Sequence, residues 1–312
     1  MIIDARNFNK SNLIIWGGEE FFCENYHKID KLNAKYLFIG NQTQEDNPYY
    51  KGFKILRSIE EIKKVENAFV LIAKGMKKSV ASIADILITH NIQFDYIGNY
   101  FSSNIYIDYL QAMHVNKYFD KDNNCVEINS NGKDVGKFVL TKMNTSKNNY
   151  LYLGNVKSKK ESTIFMIGDG GKCRIEDGTT IEQVEITINS SGEVNIGKDC
   201  LFSYGIVLMQ TDHHHIFDLE TGKRINVNKN INIGNHVWIG RDVELLGGAE
   251  VGNNSVVGAG SVSSKKFGEN CIIAGSPASV IRENIIWSED AIRKGSLENF
   301  DQAKDKRGLK YL

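Results

Sequence analysis

The chain has 312 residues, 38 Lys and Arg set against 38 Asp and Glu, 41% hydrophobic residues, 28 Gly, 2 Pro and 5 Cys. This length gives room for one large or two ordinary domains. The even charge balance removes the broad cationic field that non-specific nucleic-acid binding or a polybasic membrane anchor needs, so no nucleic-acid partner is expected. No run approaches the ~18 apolar residues of a membrane span, and Met1-Ile-Ile-Asp-Ala-Arg6 lacks an apolar leader, so a soluble, cytoplasmic protein is expected. The cysteines (Cys23, Cys125, Cys173, Cys200, Cys271) are odd in number and never form Cys-x-x-Cys, which argues for reduced, mostly buried thiols rather than disulfides or a zinc ribbon.

Residues 13–97 alternate between strand and helix signals. Leu13–Trp16 is a short apolar strand running into Gly17-Gly18, Glu19–Lys31 reads as a helix, and Lys35–Ile39 as the next strand. Ser58–Val65 has helical spacing with a capping box formed by Ser58 and Glu61. Ala68–Ala73 is a buried strand, Ser79–His90 places Val80, Ile83, Ala84 and Leu87 on one helical face, and Phe94–Ile97 closes the series. This order predicts a small parallel sheet covered by helices, a Rossmann-like domain over residues 1–110. Gly17-Gly18 lacks the full Gly-x-Gly-x-x-Gly spacing, so a plain strand-to-helix turn stands beside a phosphate contact there. Eight aromatics between Phe94 and Phe119 (with Tyr96, Tyr100, Phe101, Tyr106, Tyr109 and Tyr118) suit either core packing or stacking on sugar rings.

After a connecting segment, 111–150, a six-residue period takes over. Ile233, Ile239, Leu245, Val251 and Val257 recur without a miss, each followed by Gly or Leu, and small residues (Val237, Val243, Ala249, Ser255, Ser261) stand four places after each. Ile196, Phe202 and Leu208 share the register upstream, with Cys200 at a small inward position. No helix has this period. Short strands and turns, stacked so that each aliphatic enters a shared column, do; this predicts a parallel β-helix over 151–285. Residues 286–312 read as a charged, partly helical tail opening at Ser288-Glu-Asp290.

The repeat breaks once. Leu208 and Ile233 are 25 residues apart, which is not a multiple of six, so residues 210–230 must leave the coil as a loop. The loop carries Thr211-Asp-His-His-His-Ile-Phe-Asp218. Three readings are open from composition: a histidine general base oriented by Asp212 or Asp218, a metal site, disfavoured because alternate side chains of an extended segment point apart, or a solvated polar loop.

These residues resemble the left-handed β-helix (hexapeptide repeat) acyltransferases, and within them the acetyl-CoA-dependent O-acetyltransferases of bacterial capsule and surface polysaccharides. The resemblance covers about 164–287 and rests on Asp212–Asp218, Ile233-Gly-Asn-His-Val-Trp-Ile-Gly240, Val257-Gly-Ala-Gly-Ser261 and Ala274-Gly-Ser-Pro-Ala-Ser-Val-Ile-Arg282. It implies the left-handedness of the helix. It implies that His214, 24 positions before Trp238, is the catalytic base, with Asp212 beside it, the Arg241 backbone N–H as oxyanion donor and Trp238 as an active-site wall. The coenzyme contacts it implies are Gly248, Ala259, Gly260, Ser264, Lys265 and Arg282; Ser263-Ser-Lys-Lys266 departs from the family's usual Val-Thr-Lys-Asp. It also implies homotrimers with active sites between adjacent subunits, and no metal. The expected function is acetyl transfer to a hydroxyl of a capsular polysaccharide, O-antigen or precursor sugar. The rivals are N-acetylation of a nucleotide-linked amino sugar, suggested by the first hundred residues, and a non-catalytic glycan-binding solenoid.

Overall fold

In the computed structural model, which describes residues 2–4, 12–17, 19–30, 32, 34–38, 49–73, 77–96, 104–131, 133–143, 146–290 and 297–312, the chain divides into two units, 1–125 and 126–312. The first unit runs Ile2–Asp4 (β1), Asn12–Gly17 (β2), Glu19–Asp30 (α1), Tyr36–Phe38 (β3), Tyr49–Tyr50 (β4), Phe53–Leu56 (β5), Ile59–Lys63 (α2), Ala68–Ala73 (β6), Lys77–Thr89 (α3), Gln93–Tyr96 (β7), Asn104–Tyr106 (β8), Ile107–Ala112 (α4) and Lys117–Phe119 (β9). Its sheet has the order β4-β5-β3-β2-β6-β7, parallel except for β4. The chain steps outward from β2 to β3 to β5, then returns to add β6 and β7 on the other side.

The two-residue alternation of the strands explains why both faces are covered. Leu13, Ile15, Phe69 and Leu71 share a buried cluster with Phe22 and Ile29 of α1, while Ile14, Val70 and Ile72, pointing the other way, are equally buried. At the start of α2, Ser58 Oγ accepts from the Glu61 N–H at 3.3 Å, and the Glu61 carboxylate reaches back to the N–H of Arg57 at 3.0 Å. A Cβ at Gly17 would lie 3.2 Å from both Ala73 and the Phe22 ring, so close packing alone accounts for that glycine. Tyr96 and Tyr109 stack at 4.2 Å. Gly18, Ile39, Ile97, Tyr100 and Phe101, named in the expectations above, lie outside the described residues.

Cys125–Ile128 (β10) begins at the last residue of the first unit, and Gly136–Lys142 (β11) and Tyr150–Leu153 (β12) follow in the second, so the segment expected as a connector already contains strands. Lys157–Met166 (β13), Lys172–Ile175 (β14), Thr180–Ile181 (β15), Val184–Ile188 (β16), Glu193–Ile196 (β17), Leu201–Phe202 (β18), Ile206–Met209 (β19), Ile231–Ile233 (β20), Trp238–Ile239 (β21), Glu244–Leu246 (β22), Glu250–Val251 (β23), Val256–Val257 (β24), Val262–Ser263 (β25), Lys266–Phe267 (β26), Ile272–Gly275 (β27) and Ala278–Arg282 (β28) follow. They stack as three parallel ladders: β12-β14-β17-β20-β23-β26, β13-β15-β18-β21-β24-β27 and β13-β16-β19-β22-β25. The long β13 bends round a corner, pairing with β15 through Lys157–Ser158 and with β16 through Thr163–Met166. The result is a three-sided parallel β-helix, closed at its far end by β28 folding back antiparallel onto β27.

Each face contributes one apolar column. Ile175, Ile196, Ile233 and Val251 form one, and Ile181, Phe202, Ile239 and Val257 another, all buried; each such side chain contributes roughly 1.5–3 kcal/mol. Corners are made by residues in the left-handed region, among them Asp199 (φ 55°), His236 (φ 53°), Asp242 (φ 56°) and Asn254 (φ 58°). Corner side chains also tie coil to coil: the Lys198 N–H donates to Asn235 Oδ1 at 2.8 Å, and the Asn235 N–H to Asn253 Oδ1 at 2.7 Å. A Cβ on Gly197 would lie 2.5 Å from the Gly234 carbonyl oxygen, which is why that corner position carries no side chain. Cys200 fills an inward position with its Sγ 3.1 Å from the Gly234 oxygen, and burial pushes its thiol, like that of Cys173, up to about 12; these are core groups and poor nucleophiles.

In the tail, Ser288–Asp290 themselves are not helical, and residues 291–296, into which the expected helix would run, lie outside the described residues. Ser288 Oγ and Asp290 Oδ2 bond to each other at 3.0 Å, and the same carboxylate oxygen accepts from the N–H groups of Lys304 and Asp305, so it staples two parts of the tail together. Two short 3-10 turns, Phe300–Gln302 and Arg307–Tyr311, complete it.

Candidate active site

The loop leaves the coil after Met209 and returns at Ile231, and the register across it is uninterrupted: Ile196 pairs with Ile233 and Leu208 with Leu245. Its first foot is anchored by Gln210, buried, whose Oε1 accepts from the Asn189 N–H at 3.0 Å. The histidines do not lie in an extended segment. His213 is left-handed at φ 61°, and the His214 N–H turns back to the Asp212 carbonyl at 2.7 Å. Beyond them the chain forms a hairpin, with the Ile225 N–H on the Ile216 carbonyl and the Asp218 N–H on the Lys223 carbonyl, both at 2.9 Å.

One residue holds this loop together. The Asn226 side-chain amide donates to Asp212 Oδ2 at 2.9 Å and to the His214 carbonyl at 2.7 Å, while its Oδ1 accepts from the Ile216 N–H at 2.8 Å. Asp212 is therefore engaged by an amide, and Asp218 by Thr221, whose hydroxyl and N–H hold its carboxyl below the usual range. Among the described residues neither carboxylate bonds an imidazole, in contrast to the orienting role expected for them; short-range turn partners satisfy them first. Also among the described residues, no group of three or more His, Cys, Asp and Glu is placed to hold a metal ion. All three imidazoles are exposed, as are Ile216, Phe217, Leu219, Ile225 and Val227.

The other expected site residues fall into separate groups. Trp238 lies on β21, 43% exposed, with its N–H on the Ser255 carbonyl at 3.0 Å. Arg241 and Gly260 meet on successive coils, the Gly260 N–H donating to the Arg241 carbonyl at 2.8 Å, and Ala259 backs Gly240 so closely that a Cβ there would lie 2.7 Å from its nitrogen. The Arg241 side chain pairs with Asp242 at 3.1 Å and reaches the Tyr204 hydroxyl at 3.4 Å. Gly248, Ser264 and Lys265 share an open groove of about 620 Å³ with Lys229, Lys266 and Glu250. Gly248 sits at φ 100°, with a hypothetical Cβ 3.2 Å from Lys229 and 3.3 Å from the Ser264 carbonyl oxygen. Lys265 Nζ approaches the Ala278 carbonyl at 3.4 Å, which links the groove to the strand bearing Arg282. Within one chain, no described hydrogen bond or ring contact joins His214 to Trp238 or Arg241.

Sequence reasoning gave no role to Asn226, the last residue of Gly222-Lys-Arg-Ile-Asn226, whose resemblance is also to the polysaccharide O-acetyltransferases, and none to Lys229. A lone asparagine at the end of Lys-Arg-Ile-Asn has no periodic signal. Lys229 becomes visible only when the loop's second foot is seen to land beside Gly248.

Residues 230–262 match the family described as bacterial transferase hexapeptide (six repeats). The chain is similar to the polysialic acid O-acetyltransferase of Neisseria meningitidis, 41% identical over 108 residues, which cover 35% of this chain and 48% of that protein. It is also similar to the polysialic acid O-acetyltransferase of Escherichia coli O1:K1 / APEC, 34% identical over 119 residues, covering 38% of this chain and 39% of that one. The chain thus matches less than half the length of these curated relatives. Among solved structures it is similar to a polysialic acid O-acetyltransferase at 33% identity and a TM-score of 0.43, over 61% of this chain and 96% of that one. The stretch that matches the hexapeptide-repeat transferase family, 230–262, is part of a coil whose three ladders run in register past the histidine loop.

Proposed function

We propose that the protein is an acetyl-CoA-dependent O-acetyltransferase acting on a bacterial surface glycan, with polysialic acid as the first acceptor to try. The observation that carries this reading is the histidine loop planted at the break in the repeat, and two proteins to which the chain is similar bear the name polysialic acid O-acetyltransferase. In this reading the coil is left-handed. His214 takes the proton from the acceptor hydroxyl as its oxygen attacks the thioester carbonyl; the C–S bond breaks, coenzyme A leaves as the thiolate, and the histidinium returns the proton to it. The Arg241 N–H faces the developing oxyanion and Trp238 walls the acceptor.

The groove lined by Gly248, Ser264 and Lys265 fits the cosubstrate chemically: it is open, glycine-cornered and bears three lysines suited to a polyphosphate. Ala259, Gly260 and Arg282 are assigned to the same substrate by resemblance. The apolar side chains that the loop exposes support a trimer in which His214 works against a neighbouring copy's Trp238. No described helix is long and apolar enough to cross a membrane. The first unit, with a sheet that is parallel except for β4, is assigned to the Rossmann-like class.

The test is free-thiol release from acetyl-CoA with polysialic acid, other bacterial polysaccharides, free sugars and nucleotide-linked amino sugars, wild type beside His214→Ala. Turnover on a polysaccharide that yields a base-labile ester and is lost in the variant supports the proposal. Turnover confined to nucleotide-linked amino sugars replaces it with N-acetylation, and a fully active His214→Ala protein removes the assigned base.

A further inference from the structure

The exposed Trp238 has a covered side, and the cover comes from the tail. The Trp287 ring lies 5.9 Å from that of Trp238, tilted by 44°. Trp287 itself is buried and pinned twice: its Nε1–H donates to the His236 carbonyl at 2.8 Å, and its ring stacks on the His236 imidazole, centroids 4.1 Å apart and 8° from parallel. His236 is immobile in turn. It is fully buried at a left-handed corner, its Nδ1 lies 3.0 Å from Asn254 Oδ1, and burial lowers its pKa.

The rest of the tail locks this arrangement from outside. A Cβ on Gly308 would lie 2.9 Å from the His236 ring, so the tail passes directly over it. Arg307 pairs with Asp305 and Glu289, and the Tyr311 hydroxyl donates to Asp199 Oδ2 at 2.6 Å on the adjacent coil. Trp238 therefore has a fixed aromatic on one side and open space on the other.

We infer that Trp287 is a positioning residue for Trp238: the tail carries an indole to the back of the acceptor wall and holds the exposed ring in one orientation before any acceptor arrives. The inference rests on the reading of Trp238 as the acceptor wall. A half-exposed tryptophan otherwise samples several staggered rotamers, and fixing one in advance removes that ordering cost from binding. The effect is expected on the acceptor, because Trp287 is not among the residues that line the groove assigned to acetyl-CoA.

The experiment uses the full chain, acetyl-CoA and polysialic acid, or whichever polysaccharide the wild type acetylates. Trp287→Ala is expected to raise the acceptor KM about tenfold while the acetyl-CoA KM stays within about twofold, and Trp287→Phe, which keeps a ring against Trp238, to recover most of the loss. A readout independent of turnover is the far-ultraviolet circular dichroism couplet of two indoles this close, expected in the wild type and lost alike from Trp287→Phe and Trp238→Phe. The inference is overturned by an unchanged acceptor KM in folded Trp287→Ala, by both KM values rising together, or by a couplet missing from the wild type. If the wild type acetylates nothing, the acyltransferase reading falls, and the placement of Trp287 against Trp238 is then decided by the couplet alone.

Discussion

The coil and the loop are contiguous, yet they are held by opposite means. In the coil aliphatic side chains from successive turns disappear into shared columns, and backbone, corner carboxamides and glycines repeat the same solution from turn to turn. In the loop the large apolar side chains point outward, and shape depends on the single side chain of Asn226 and a few hairpin bonds. A redundant element tolerates local damage in geometry but not in volume; a stapled one tolerates changes of volume but not loss of the staple. Stability thus rests on the buried columns of the coil and the loop's shape on a few polar contacts, so the two can be perturbed separately.

Damage to a buried column should cost the most. Phe202→Ala, emptying a fully buried column position, is expected to cost about 3–5 kcal/mol, read from the urea midpoint, whereas Leu219→Ala at the loop's exposed tip should leave it unchanged. Equal effects would end the distinction. Next, His214→Ala should lower kcat at least ~100-fold with the same urea midpoint as the wild type, since the ring is exposed and buries nothing; a matching loss of stability would show that the histidine is structural. Smaller still, Asn226→Ala removes the hydrogen bond to the Ile216 N–H, and at about 1 kcal/mol per bond the exchange of that amide should quicken roughly five- to tenfold while coil amides keep their protection.

Acid pH bears on the coil more weakly, through His236 and the tail over it. Burial lowers the folded-state pKa of His236 below its ordinary 6.5, so the unfolded chain takes up the proton first as pH falls. Stability from the neutral ring is complete above about 6.5 and is lost as pH drops from there through the folded value. Asp305 acts in a lower window. Burial pushes its carboxyl up, but Arg307 and two backbone N–H groups outweigh that and hold it at about 2, so its contribution persists until pH falls below the ordinary carboxylate value and disappears toward 2. Thermal unfolding should therefore show a first decline just below pH 6.5, and His236→Asn, which suits the same left-handed corner, should flatten it.

How much of this was readable beforehand follows from which interactions repeat. Between Ile233 and Val257 each coil takes eighteen residues, so the period is plain, and the interval from Leu208 to Ile233 exposes the loop. Earlier coils are longer: Ile175 pairs with Ile196, 21 residues on, and Leu153 with Ile175, 22 on, so the same columns are built without a six-residue spacing and the strands upstream of residue 151 were hidden. The last coil is shorter, with Phe267 below Val251 only 16 residues on, because Ser264-Lys265 makes an abbreviated corner where the lysine groove opens. His214, Trp238 and the glycine corners could be named because their motifs are local. Asn226 and Trp287 could not, because each acts across a distance, 14 residues to Asp212 and 51 to His236, that no local pattern records.

The unbroken register across the loop carries a consequence for how such proteins change. Strands on either side of residues 210–230 pair as though nothing had been inserted, so the loop behaves as a cassette clipped into a finished scaffold. Replacing it with a short turn should leave a folded, inert prism, and fitting the loop of a relative onto Gln210 and Asn230 should alter chemistry without rebuilding the core. Lengthening it is cheap as well, since each doubling of a flexible loop adds only about 0.6 kcal/mol of closure entropy. A fold of this design can acquire a new acceptor by exchanging some twenty residues, roughly the loop's length, while the stack beneath keeps its sequence.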